Sequence, residues 1–230
     1  MDNVRGYGQF CPVAMASEIL CSRWTLLVVR EMLMGTTRFN DLRRGVPRMS
    51  PALLSKRLKE LERGGVVIAE PGASGVVEYR LSEAGEDLRG VIMGMGVWGQ
   101  RWIESELSLR NLDPSLLMWD MRRNLNPEPL PRPRCTIQFL YPEVRSPKQN
   151  WWLVVEPKIV DLCGVDPGFE VDLLVTSSLR SMTAIWMGVS RVQREIDAGN
   201  LALEGDPQVA SAMQRWLGLS SFAGEKRRVG

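Results

Sequence analysis

The stretch Arg48 to Gly65, RMSPALLSKRLKELERGG, decides how this chain is read. Ser50 is a good N-cap, because its hydroxyl can accept from an orphan backbone N–H, and Pro51 suits the first helical position, where no N–H is needed. At 100° per residue Leu54, Leu58 and Leu61 share one face, and Ala52, Lys56, Lys59 and Arg63 take the opposite one. Gly64 and Gly65 stop the helix. VVIAE and VVEYRLS then flank PGASG, with the β-branched runs and turn chemistry of a hairpin.

Upstream, two helical patterns run from Cys11 to Leu33. The first places Val13, Ala16, Ile19 and Leu20 on one face; the second has Thr25 as N-cap and Leu26, Leu27, Arg30 and Leu33 along it. RFNDLRRG predicts a short third helix with Phe39 and Leu42 as its buried pair. Downstream, Ser82 in SEAGE caps a long helix expected to reach about Leu109. Four helices, a hairpin and a further helix form the order of a winged helix-turn-helix, in which the helix before the hairpin enters the major groove.

Charge distribution supports that reading. The chain of 230 residues has a formal charge of only +2, too small to suggest a nucleic-acid binder. Yet residues 38–63 are net +5, with Arg38, Arg43, Arg44, Arg48, Lys56, Arg57, Lys59 and Arg63 against Asp41, Glu60 and Glu62. Positive charge gathered into one helix-turn-helix is the footprint of a phosphate-backbone binder. The candidate DNA-contacting residues are Arg38, Asn40, Arg43, Ser50, Pro51, Ala52, Ser55, Lys56, Arg57 and Lys59, with Ser74 in the wing turn. Small residues admit close approach to base edges, and hydroxyls can bond to bases or phosphates.

Composition narrows the alternatives. There is no histidine, which removes Ser-His-Asp and Cys-His nucleophilic catalysis and the commonest nitrogen metal ligand. Cys11, Cys21, Cys135 and Cys163 lie far apart with no CxxC spacing, so no zinc site or disulfide framework is expected. The expectation is a non-enzyme with no metal and no cofactor, cytoplasmic and not bound to a membrane, since no signal-like or spanning apolar run is seen.

CPVAMASEILCSRWTLLVVREMLMGTTRFNDLRRGVPRMSPALLSKRLKELERGGVV, followed by EYRLSEAGEDL, closely resembles the HxlR-type winged-helix regulators of bacteria over about residues 8–105. The resemblance implies a homodimer on a double-stranded DNA operator, with the first helix and the long helix after the wing at the dimer contact. It also implies that Cys11 lies where some members sense oxidants; independently, a thiol beside a helix N-terminus can have a lowered pKa. Ala84, Leu88, Val91, Met95, Trp98 and Trp102 follow a heptad-like spacing, so Leu88, Val91, Met95, Trp98 and Trp102 are the dimerisation candidates. The alternative partner for that seam is the second half of the same chain.

Four prolines in NPEPLPRPR precede a change of character, and the domains are placed at 1–110 and 111–230. CTIQFLY, NWWLVVE, KIVDLC and EVDLLVTS read as strands, SLRSMTAIWMG and SRVQREIDAGN as helices, LALEG as a strand and PQVASAMQRWLG as one closing helix, with the tail GEKRRVG frayed. This arrangement, DAGNLALEGD above all, resembles the sterol carrier protein type of lipid-binding fold, which implies an apolar small-molecule effector. Trp119, Trp151, Met182, Trp186, Met187 and Met213 are the candidate lining residues. The expected fold class is α+β, a winged helix-turn-helix followed by a mixed α/β sterol-carrier-like domain. The function expected is a dimeric transcriptional regulator that an apolar ligand controls. The alternatives are a thiol-based redox regulator acting through Cys11, and a lipid carrier whose N-terminal half only dimerises.

Overall fold

The computed structural model describes residues 6–72, 75–104, 106, 109–131 and 133–229. They form two compact units, Met1–Met95 and Gly96–Gly230.

In the first unit the elements are α1 (Pro12–Leu20), α2 (Thr25–Leu33), α3 (Phe39–Gly45), α4 (Pro51–Arg63), β1 (Val67–Pro71), β2 (Val77–Leu81), α5 (Glu83–Asp87) and the start of α6 (Arg89–Trp102). The helix-turn-helix closes on Val28, Val29, Met32, Leu42, Leu54, Leu58 and Leu61, with Ile92 of α6 and Val66 and Val67 at the wing. Burying each α4 leucine is worth about 1.5–3 kcal/mol, and all three are at most 1% exposed. β1 and β2 pair antiparallel, Val67 opposite Leu81 and Pro71 opposite Val77. Tyr79 N–H donates to the Thr37 carbonyl at 2.8 Å, and Arg38 bridges to Glu78, which ties the entry to α3 onto the wing.

Three expectations change here. The α2 N-cap is Trp24, not Thr25; Trp24 sits in the left-handed region at φ 79° and packs against the core, and that packing holds a conformation few non-glycine residues adopt. The buried face of α2 is Val28, Val29 and Met32, and Leu27 is exposed. In α1 no residue is buried, so Val13 and Ile19 face outward.

Helix α5 begins as read, with the Ser82 hydroxyl accepting from Gly85 N–H at 3.1 Å. It breaks at Leu88, whose N–H reaches the i−3 carbonyl of Gly85. Helix α6 ends at Trp102, short of Leu109; C-terminal residues bond to carbonyls there, Arg228 N–H to that of Arg101 at 2.8 Å and Arg227 Nη1 to that of Ile103, just past the helix, at 2.9 Å. The tail is therefore fastened, not frayed. Arg101 also pairs with Glu225 at 2.6 Å.

The second unit adds α7 (Pro114–Asn124), β3 (Cys135–Leu140), β4 (Asn150–Glu156), β5 (Ile159–Cys163), β6 (Leu173–Ser177), α8 (Leu179–Trp186), α9 (Val192–Asp197), β7 (Leu201–Gly205), α10 (Pro207–Ser211) and α11 (Met213–Trp216). All eight predicted segments form, except that the closing helix divides at Ala212 into α10 and α11. The strands make one sheet in the order β5-β4-β3-β6-β7, with β3 and β6 parallel and the other neighbours antiparallel. With a period of two, Cys135, Ile137 and Phe139 of β3, Leu153 and Val155 of β4 and Leu173 and Val175 of β6 point to the same side. There they pack against Met118, Met182, Ile185, Val209, Met213 and Trp216 of the helices.

Candidate nucleic-acid interface

Helix α4 is set by its ends and by its leucines. The Ser50 hydroxyl accepts from Leu53 N–H at 3.3 Å, Pro51 opens the first turn, and Gly64 caps the last carbonyls. With Leu54, Leu58 and Leu61 buried, Ser50, Pro51, Ala52, Lys56 and Lys59 are exposed and Ser55 is half-buried. Lys56 meets Glu60 at 3.9 Å, a loose contact on an open surface.

Arg57 behaves differently. Its Nε donates to the Arg23 carbonyl at 3.1 Å, and Nη1 is paired with Glu60. It fastens α4 to the loop before α2, a role that spacing alone did not show. Helix α3 presents Asn40 and Arg43 to solvent, and Arg38 at its N-cap pairs with Glu78 of the wing at 3.6 Å. Ser74 lies outside the described residues. The unit thus offers an exposed surface of cations, hydroxyls and small residues, backed by a packed apolar core.

Leu88 is half-buried against the first unit's core, whereas Val91, Met95, Trp98 and Trp102 are each at least 51% exposed along one side of α6. Helix α1 and the residues just before it carry further open apolar surface, with Phe10 97% and Val13 74% exposed. Cys11 is an exposed thiol at the α1 N-cap, and the backbone N–H groups of Ala14 and Val13 lower its pKa. In the second unit Trp119, Met182 and Met213 are fully buried, whereas Trp151, Trp186 and Met187 are half-buried. Trp151 turns toward the helices and bonds through Nε1 to the Lys148 carbonyl at 2.9 Å; Trp152, its neighbour, faces the other way. The Trp186 indole N–H is buried without an acceptor. Among the described residues no cluster of histidine, cysteine and carboxylate side chains could hold a metal, and no single helix is long and apolar enough to cross a membrane.

A helix-turn-helix with a wing, whose fourth helix turns Lys56 and Lys59 to solvent, defines a DNA-binding transcription regulator. The HxlR-like helix-turn-helix family model matches residues 19–107. The HTH-type transcriptional regulator YvaP of Bacillus subtilis is 35% identical over 99 residues, spanning 42% of this chain and 92% of that protein. Rv3095 of Mycobacterium tuberculosis, another HTH-type transcriptional regulator, is 36% identical over 138 residues, spanning 52% and 85%. Among solved structures, the reduced form of the B. subtilis regulator YodB aligns with 30% identity over 40% of this chain and 93% of its own, with a TM-score of 0.36. The chain belongs to the HxlR-like helix-turn-helix family of bacterial transcriptional regulators.

Proposed function

We propose that this regulator binds a double-stranded operator as a homodimer, reads it with α4, and is controlled by an apolar small molecule taken up by residues 111–230. The observation that carries the DNA reading is the division of α4 into three buried leucines and an opposite surface of Ser50, Ala52, Lys56 and Lys59, within a segment of net +5. Arg38, Asn40 and Arg43 extend the surface along α3, toward phosphates that fix register.

Two open apolar faces support the dimer: α1, which buries no residue, and the Val91, Met95, Trp98 and Trp102 side of α6. Such faces are seldom left to solvent. Support for the effector is narrower. The elements of residues 111–230 form in the order read from the sequence, on which the likeness to a sterol carrier protein rests, and Trp151, Trp186 and Met187 keep partly open side chains. The unpartnered Trp186 indole N–H is a donor that a ligand oxygen could satisfy. Effector binding alters operator affinity only if it favours one arrangement of the two winged helices.

The test is selection of duplexes from a random-sequence pool by the full-length protein, followed by footprinting. Two-fold related half-sites are expected, and protection of a single half-site would contradict the dimer. Mass spectrometry of molecules that co-purify with the protein tests the effector; an apolar compound lost on Trp186→Ala with the fold intact is the expected result.

A second reading is favoured by one observation, the exposed Cys11 thiol at the N-cap of α1 with its lowered pKa. It predicts that Cys11→Ser abolishes an oxidant response and leaves basal DNA binding as it was.

A further inference from the structure

Glu78 of β2 is a carboxylate inside the positive unit, and its surroundings are specific. Arg38 Nε lies 3.6 Å from Oε1, and Arg80 Nη2 lies 3.5 Å from Oε2. The two arginine side chains are 60% and 62% exposed, whereas that of Glu78 is 17% exposed. Two open cations therefore converge on one sheltered anion. Its shelter is built: a β-carbon on Gly72 would stand 2.9 Å from Glu78 Cγ and 2.8 Å from the Val76 carbonyl, so only glycine leaves the side chain room to lie there.

Pairing across the hairpin does not explain the residue. Glu78 stands directly opposite Glu70 in the hairpin register, and like charges at opposed positions weaken a ladder. Nor does it add to phosphate attraction, which a carboxylate opposes. What it does is pair with the Nε edge of Arg38 and one Nη of Arg80, on two guanidinium forks whose side chains are otherwise largely exposed.

We propose that Glu78 is a positioning residue for DNA recognition, which holds Arg38 and Arg80 so that they meet phosphates from one fixed direction and are withheld from an arbitrary duplex. The proposal rests on the reading of α3, α4 and the wing as the DNA interface. Discrimination follows because a seated wing satisfies the remaining N–H groups without breaking the Glu78 contacts. A wrongly seated one must either break them or forgo the cations.

The experiment uses the full-length protein and two duplexes of equal length, one recovered by the protein from a random-sequence pool and one scrambled. Both are titrated over a series of salt concentrations, with melting temperature as the check on folding. Glu78→Gln should bind the scrambled duplex roughly fivefold more tightly, the effect of one uncompensated surface charge. Its plot of log affinity against log salt should steepen by about one. Preference for the selected duplex should fall. Glu78→Asp, which keeps the charge, should retain wild-type affinity for the scrambled duplex, and it answers the question if the glutamine variant does not fold. Equal weakening on both duplexes, or wild-type behaviour in Glu78→Gln, would overturn the proposal. A rise in scrambled-duplex affinity in Glu78→Asp would do the same. Failure of the interface itself looks different: Lys59→Ala would leave binding to both duplexes at the wild-type level.

Discussion

The Arg57 guanidinium donates through Nε to the Arg23 carbonyl, 34 residues away, at 3.1 Å. That contact separates two kinds of cation on one helix. Arg57, with a side chain 15% exposed, holds α4 in place, whereas Lys56, 66% exposed, is open to a ligand. Arg57→Ala should therefore cost about 1.5–3 kcal/mol of stability, typical for a hydrogen bond to a charged group. The salt dependence of DNA binding should stay at the wild-type slope. Paired thermal melts and salt titrations check this, and a flatter slope at unchanged melting temperature would reassign Arg57 to the interface.

Gly45 and Glu31 share one small space. Glu31 is fully buried and pairs with Arg30 at 2.7 Å, and a β-carbon on Gly45 would fall on the Glu31 carboxylate. Gly45→Ala should destabilise the protein by roughly 1–3 kcal/mol, since a packed and charged neighbour must move. Chemical denaturation of the single and double variants is the check. Glu31→Ala should relieve part of the Gly45→Ala loss, because the smaller side chain clears the space.

Phe222 lies against Gly96 with no room for a β-carbon between them, and Glu225 pairs with Arg101. Burial and ion pairing can be ranked here. Phe222→Ala should cost about 1–3 kcal/mol through lost apolar contact. Glu225→Gln should cost less than about 1 kcal/mol, because both partners are at least 31% exposed. Limited proteolysis should show the chain after Ser220 becoming cleavable in Phe222→Ala and staying protected in Glu225→Gln.

For Cys11 the direction of the shift gives the pH dependence. Backbone N–H groups of Ala14 and Val13 favour the thiolate, so its pKa lies below the ordinary 9.0. A lowered pKa leaves more thiolate near neutral pH. The rate of Cys11 alkylation by iodoacetamide should rise with pH and level off at a lower pH than for an unstructured cysteine peptide. Peptide mass mapping after timed quenching measures this, and coincident profiles would remove the thermodynamic basis for a reactive thiol.

The winged helix was legible because its signals are local. Ser50 with Pro51, three leucines at helical spacing and paired β-branched runs each act within a few residues, and the structure places α4, β1 and β2 where they predict. Signals that depend on distant partners were not legible. Val13 and Ile19 form an apolar stripe that any core would accept, yet α1 buries nothing. Arg57 looks like Lys59 in sequence, and only the Arg23 carbonyl distinguishes them. The tail composition of GEKRRVG suggests solvent, yet Arg227 and Arg228 bond to carbonyls at the end of α6. In residues 111–230 the strands were read from their β-branched and aromatic runs. Composition could not tell Met182 and Met213, which fill the core, from Trp186 and Met187, which remain partly open.

The central claim is that the exposed side of α4 reads DNA, and the most direct measurement is the salt dependence of operator binding by the Lys56→Ala/Lys59→Ala variant of the full-length protein. Loss of two phosphate-facing charges should weaken binding at least tenfold and flatten the slope of log affinity against log salt by up to about two. An unchanged melting temperature is expected, because both side chains are exposed. Wild-type affinity and slope in this folded variant would contradict the assignment of α4 as the recognition helix.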